Sequence, residues 1–191
     1  MLEKKVYISF LHSYFYITGS IGRYRYKKKI ITMLEEVSEH LPKIFVDSGA
    51  IKMPSELNMM TTDYTLHDID LIYIDDDNKK LLNKIEKDDN IEIIQIKKDL
   101  LMLYYKPKKL RIDIFICKKE YFYTYYLFTL LGKKINIILR KKAKSYNLIL
   151  NQYGLFDTST STSIKINYNN KKNIFYNLGM ILKKIYSYKK I

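Results

Sequence analysis

At 191 residues, 47% of them hydrophobic, the chain suits one domain, or two small subdomains sharing a core, and is too apolar for disorder. Its 34 Lys+Arg against 20 Asp+Glu leave a formal charge of +14, which points to a polyanionic partner, nucleic acid first. A single cysteine, Cys117, excludes an internal disulfide framework and fits a reducing compartment. His12, His40 and His67 lack zinc-ligand spacing and any cysteine cluster.

No run approaches the roughly 18 apolar residues that span a bilayer, so no membrane partner is expected. The first twenty residues pair Lys4 and Lys5 with an apolar, aromatic run. They offer no Ala-x-Ala-like site and carry His12, so the expectation is an intracellular protein. The chain is rich in Lys, Ile, Asn and Tyr, as translation from an AT-rich genome produces, and part of its charge follows from that bias. Arginine, which the bias disfavours, is the better witness: there are four, Arg23, Arg25, Arg111 and Arg140. Their guanidinium forks suit carboxylate and phosphate geometry.

In chain order, residues 3–17 read as a helix or a strand, with the type open. Ile30, Ile31, Leu34 and Val37 recur at helical spacing across 27–41, and Pro42 reads as the stop. Residues 43–46 read as a short strand entering an Asp47-Ser48-Gly49-Ala50 turn, and 53–66 as an irregular loop. After an extended stretch at 67–74 come a turn at 75–78 and a helical turn at 81–85. Strands are expected at 91–96 and 100–105, and Pro107-Lys108-Lys109 leads into a further strand at 111–116. Residues 121–131 are dense in aromatics and end at Gly132. A basic amphipathic helix follows over 133–145, with Ile135, Ile138 and Leu139 on its apolar side, then extended segments at 147–156 and 163–166. A last helix covers 173 to about 185.

Two of these stretches carry acids inside apolar strands. In His67-Asp68-Ile69-Asp70-Leu71-Ile72-Tyr73-Ile74 the period-two alternation puts Asp68 and Asp70 on one face, with Ile69, Leu71 and Tyr73 on the other. In Arg111-Ile112-Asp113-Ile114-Phe115-Ile116 the same rule pairs Arg111 with Asp113. If the two strands are neighbours, three carboxylates converge, an arrangement that can hold paired divalent cations for displacement at phosphorus. An acid in an apolar strand is costly unless it meets a cation. The plainer alternative is two half-exposed strands whose acids are merely solvated.

Taken in order, these motifs resemble the family X DNA polymerases from about residue 25 onward. His67-Asp68-Ile69-Asp70 is similar to the family's paired-acid motif and Arg111-Ile112-Asp113-Ile114 to its third-acid motif. Leu150-Asn151-Gln152-Tyr153-Gly154-Leu155-Phe156 resembles the minimal, African swine fever virus type, and Ile174-Phe175-Tyr176-Asn177-Leu178-Gly179 the closing helix. The resemblance implies an α+β fold: a nucleotidyltransferase palm over 1–125, with a mixed, mainly antiparallel sheet backed by helices, and a small α+β C-terminal subdomain over 126–191. It also implies a viral enzyme of the host cytoplasm or nucleus, or of the virion, without lyase and helix-hairpin-helix modules.

Carried over residue by residue, the resemblance makes Asp68, Asp70 and Asp113 ligands of Mg²⁺, with Mn²⁺ as the substitute, and Arg111 the partner that steers the acids. Gly49, Ala50, Lys52, Phe128 and Asn136 become nucleotide contacts. Arg140, Lys133, Lys134, Lys141, Lys142 and Lys144 become DNA contacts. Ala50 stands where the family has a serine, and Phe128-Thr129-Leu130-Leu131-Gly132 carries one residue more than the family's turn. The expected activity is templated addition of deoxynucleotides to a primer 3′-OH in gap-filling DNA repair, by a monomer acting on gapped or primer-template DNA with deoxynucleoside triphosphates. The alternatives are a template-independent or RNA-directed nucleotidyltransferase, or a non-catalytic DNA-binding protein.

Overall fold

The computed structural model describes residues 6–8, 11, 13–47, 68–75, 79–160, 162–164 and 174–187. The chain opens with an antiparallel hairpin, β1 (Val6–Ile8) and β2 (Ser13–Ile17), which settles the type of the first segment. Three short helices follow: α1 (Gly19–Arg25), α2 (Lys27–Glu35) and α3 (His40–Asp47). The long helix expected over 27–41 therefore ends at Glu35, and the strand expected at 43–46 is helical. Pro42 starts a helix rather than stopping one. It sits in the first turn of α3, where its missing N–H has no intrahelical partner to lose. Leu41 and Phe45, four apart, then bury one face of that helix.

Most of the remaining elements lie where they are expected, but the extended segment expected at 147–156 is a hairpin, and of that expected at 163–166 only Ser163 forms a bridge, to Phe156, with 165 and 166 outside the described residues. The elements after α3 begin with β3 (Asp68–Ile74), α4 (Lys79–Ile85), β4 (Ile91–Ile96), β5 (Leu100–Tyr105) and β6 (Leu110–Cys117). Then come α5 (Phe122–Leu130), α6 (Gly132–Ser145), the hairpin β7 (Leu148–Asn151) and β8 (Gly154–Asp157), and α7 (Ile174–Ser187). The aromatic run is α5. Phe122, Thr124, Tyr125, Tyr126, Leu127 and Leu130 are all buried, and a helix apolar on every side belongs in a core. Among the described residues no helix is long and apolar enough to cross a membrane.

Six strands form one sheet in the order β1-β2-β3-β6-β5-β4, with β7 and β8 a separate pair. Among the described residues only β3 and β6 run parallel; the other pairings of this sheet are antiparallel. The sheet divides the apolar interior. One face carries Leu71, Ile112, Ile114 and Ile116, covered by Leu81 and Ile85 of α4. The opposite face, through Ile72 and Cys117, meets a larger cluster drawn from α2, α3, α5, α6, α7 and the β7–β8 hairpin. The expected subdomain boundary between 125 and 126 falls within α5.

The β7–β8 turn is tied to the sheet through one carboxylate. Asp99, between β4 and β5, accepts hydrogen bonds from the hydroxyls of Tyr153 (2.7 Å) and Tyr125 (2.9 Å). Burial pushes the Asp99 carboxyl up, but the two hydroxyls, a backbone hydrogen bond and the charge of Lys98 together hold it below the usual range. Tyr153→Phe removes one of the two donors and keeps the ring contacts to Tyr121 and Tyr125. It should cost about 1 kcal/mol, read as a lower denaturation midpoint at unchanged slope.

Candidate active site

The parallel register of β3 and β6 builds the acidic cluster. Asp70 lies opposite Asp113 and Asp68 opposite Arg111, so all four side chains share one sheet face. That is the face of the larger core, beyond Ile72 and Cys117. Asp113 is 9% exposed and Asp70 half-buried, whereas Asp68 reaches solvent. Arg111 grips Asp113 as a fork: Nε donates to Oδ1 and Nη2 to Oδ2, both at 2.8 Å. That bidentate bond fixes the Asp113 rotamer.

Asp70 is the electrostatically costly member. Burial, then repulsion from Asp68 and Asp113, push its carboxyl from 3.8 up to about 6, against the opposing pull of Arg23 and Arg111. Such a carboxyl wants a cation. Carboxylate oxygens are the ligands Mg²⁺ takes, and Asp68 and Asp70 offer them side by side. Asp113 offers its remaining lone pairs while Arg111 engages both oxygens. Among the described residues no three His, Cys, Asp or Glu are grouped as a ready metal centre. The donor chemistry thus fits a hard divalent cation through Asp68 and Asp70, with Asp113 joining as Arg111 shares it.

The sequence reading missed a turn that the structure puts against these acids. The Thr18 backbone N–H donates to the Asp70 carbonyl at 3.0 Å, and Gly19 follows with φ of +60°. A Cβ on Gly19 would collide with the Asp70 carboxyl group, so only glycine leaves that side chain its place. Arg23, one turn further along α1, feels both Asp70 and Asp68, and its Nη1 donates to the carbonyls of Thr129 and Leu130, each at 3.4 Å. A glycine-serine pair followed by arginine, Gly19-Ser20-Ile21-Gly22-Arg23, was there to be read. It lies upstream of Gly49-Ala50, where the resemblance places the Gly-Ser turn. Gly49, Ala50 and Lys52 lie outside the described residues, as does His67.

Gly19→Ala therefore combines an unfavourable left-handed backbone with displacement of Asp70. It should lower stability by about 1–2 kcal/mol. It should also cost more activity than the stability loss explains, checked by assaying well below the melting temperature.

The other expected contacts gather around Phe128, in the last turn of α5. Asn136 Nδ2 donates to the Phe128 carbonyl at 2.6 Å, and the Arg140 guanidinium lies 4.7 Å from the Phe128 ring centroid. One residue on, Thr129 Oγ1 shares a 2.7 Å hydrogen bond with Thr18 Oγ1. The Phe128 group thereby joins the turn that holds Asp70. Lys133, Lys134, Lys141 and Lys144 are exposed on α6. Lys142 is half-buried, its ammonium 5.0 Å from the Tyr146 ring and 5.5 Å from that of Tyr186. Arg140 and Lys144 also line a hollow of about 590 Å³ shared with Asn147, Asn151 and Thr158.

No protein-family model matches this chain, and no curated protein matches it in sequence. Solved structures do share part of its arrangement. The ternary P/T complex of Leishmania infantum polymerase beta is 22% identical over 47% of this chain and 42% of that one, with a TM-score of 0.37. The ternary gap complex of the same polymerase is 21% identical over 56% of this chain and 44% of that one, with a TM-score of 0.38. The chain thus spans less than half the length of these structural neighbours.

Proposed function

We propose that this protein is a nucleotidyltransferase of the DNA polymerase type, adding deoxynucleotides from their triphosphates to a primer 3′-OH in gapped or primer-template DNA. The observation that carries this reading is the register of the two parallel strands, which sets Asp70 opposite Asp113 with Asp68 two residues away on the same face. Solvated surface acids would not need a carboxyl held up at about 6 beside two others. Asp68, Asp70 and Asp113 would hold divalent cations, Mg²⁺ or Mn²⁺. When bound, such cations lower the pKa of the attacking hydroxyl and offset charge on the leaving pyrophosphate.

Around them the chain's own groups position the reactants. Arg111 orients Asp113, which accepts the proton of the 3′-OH. Arg23 keeps positive charge beside Asp68 and Asp70. Phe128, Asn136 and Arg140 form a preassembled surface for the incoming nucleotide and its template partner. Lys133, Lys134, Lys141 and Lys144 supply charge for the duplex backbone. The division into a catalytic unit over 1–125 and a binding unit over 126–191, and the kinship with minimal viral enzymes, belong to the same proposal.

Primer extension across a one-nucleotide gap is the direct test, run with Mg²⁺, Mn²⁺ or chelator and with the template strand present or omitted. Template-dependent addition that a chelator stops is the expected result. No incorporation with either metal, on any primer end, would remove the proposal.

A further inference from the structure

Helices α2 and α7 enclose a groove of about 560 Å³ whose walls include Lys28, Lys29, Glu36, Phe175, Tyr176 and Lys183. Its walls carry more basic than acidic side chains: Lys183 Nζ meets Glu36 Oε2 at 2.7 Å, and Lys28 and Lys29 line the same groove. The Lys29 ammonium lies 5.3 Å from the Phe175 ring and 5.6 Å from that of Tyr26, and Arg25 lies 5.5 Å from the same Tyr26 ring. Tyr176 is 51% exposed beside them.

Local folding does not favour this arrangement. Lys27, Lys28 and Lys29 fill the first turn of α2, where no acidic residue balances them. Cations there repel one another and oppose the positive end of the helix dipole. An anionic occupant would offset both effects. AT-rich coding explains lysines, but not Arg25, whose residue type that bias disfavours. Cations interleaved with an exposed aromatic ring form the usual platform for a single strand, with charge tracking the phosphates and the ring stacking on a base.

Helix α1 links the acidic cluster to the start of α2. Helix α1 runs from Gly19, against Asp70, to Arg25, a rise of about 10 Å. That is roughly three nucleotides of strand.

We propose that the α2–α7 groove binds single-stranded DNA, with Tyr176 stacking on a base and Lys28 and Lys29 on the phosphates. This goes beyond the reading of the acidic site and is tested independently of it. Fluorescence anisotropy of a labelled oligo(dT) 20-mer is measured with the full chain, in chelator and without nucleotide, over a salt series. Lys28→Ala should reduce the slope of log K against log salt by about 0.7, one single-strand phosphate contact. Tyr176→Ala should weaken binding about tenfold. Tyr176→Phe, which keeps the ring, should bind like the parent and so guards against a folding artefact. Blunt duplex should lose less than oligo(dT) in each case.

Unchanged oligo(dT) binding in both alanine variants, or an equal loss on blunt duplex, would overturn the proposal. So would an acidic peptide that displaces the oligonucleotide at lower concentration than unlabelled oligo(dT), since the groove would then be a protein-docking site. An inactive enzyme with intact, groove-dependent oligo(dT) binding would sink the polymerase reading alone.

Discussion

Asp70→Asn is expected to abolish nucleotide addition and, in the same molecule, to make the metal-free protein more stable at neutral pH. The folded-state carboxyl titrates near 6 and the unfolded one near 3.8. Between those values the folded chain holds a proton that the unfolded chain releases, so stability falls as pH rises through this window. Above about 6 the whole penalty is in force, and below about 3.8 it is gone. Its size is about 2–3 kcal/mol, which for a chain of this length moves the melting temperature by roughly 5 °C or more. Asparagine keeps the shape and carries no charge, so the gain should appear at pH 8 in chelator and shrink toward pH 4.

Divalent cation should then stabilise the parent and barely affect the variant, because only the parent gains a ligand for its charge. Thermal unfolding at both pH values, with and without Mg²⁺, reads all of this. A variant no more stable than the parent at pH 8, or a gain independent of pH, would show that Asp70 is ionised without strain. The case for a cation at that position would go with it.

Asp113→Asn should also be inactive, with loss on the order of a thousandfold or more, but with the opposite sign in stability. Asp113 is 9% exposed and satisfied by both arms of the Arg111 fork. Asparagine can accept one of those hydrogen bonds and meets the other with its own N–H, so a cost of about 1–2 kcal/mol is expected. Duplex DNA binding should survive, because the lysines of α6 are untouched. The pair of variants therefore separates chemistry from folding: two dead enzymes, one more stable than the parent and one less. Near-parent turnover in Asp113→Asn would take that residue out of the mechanism.

The acids were legible in the sequence because their evidence is local. An alternating strand reports which of its residues share a face whatever it pairs with, so Asp68 with Asp70 and Arg111 with Asp113 follow from period two alone. The same locality makes β4, β5 and α6 readable, since short apolar runs between turns and a repeating apolar side are properties of short windows. Pro42 misled because proline both ends helices and begins them. The burial of Leu41 and Phe45, which decides between the two, is a tertiary fact.

Only the folded chain could decide what surrounds the acids. The pairing of β3 with β6 skips α4, β4 and β5, and nothing within either strand names its partner or its parallel direction. The turn at Thr18 and Gly19 is separated from Asp70 by α1, α2 and α3 among the described residues, and lies just past the segment, 3–17, whose type the sequence left open. That Gly19 must lack a side chain becomes visible only when the Asp70 carboxyl fills the space beside it. What the sequence by itself determined is which groups share a face. Which faces meet, and hence that Asp70 is caught between two other acids with Arg23 and Arg111 at its sides, depended on long-range packing of apolar strands and helices that no local pattern encodes.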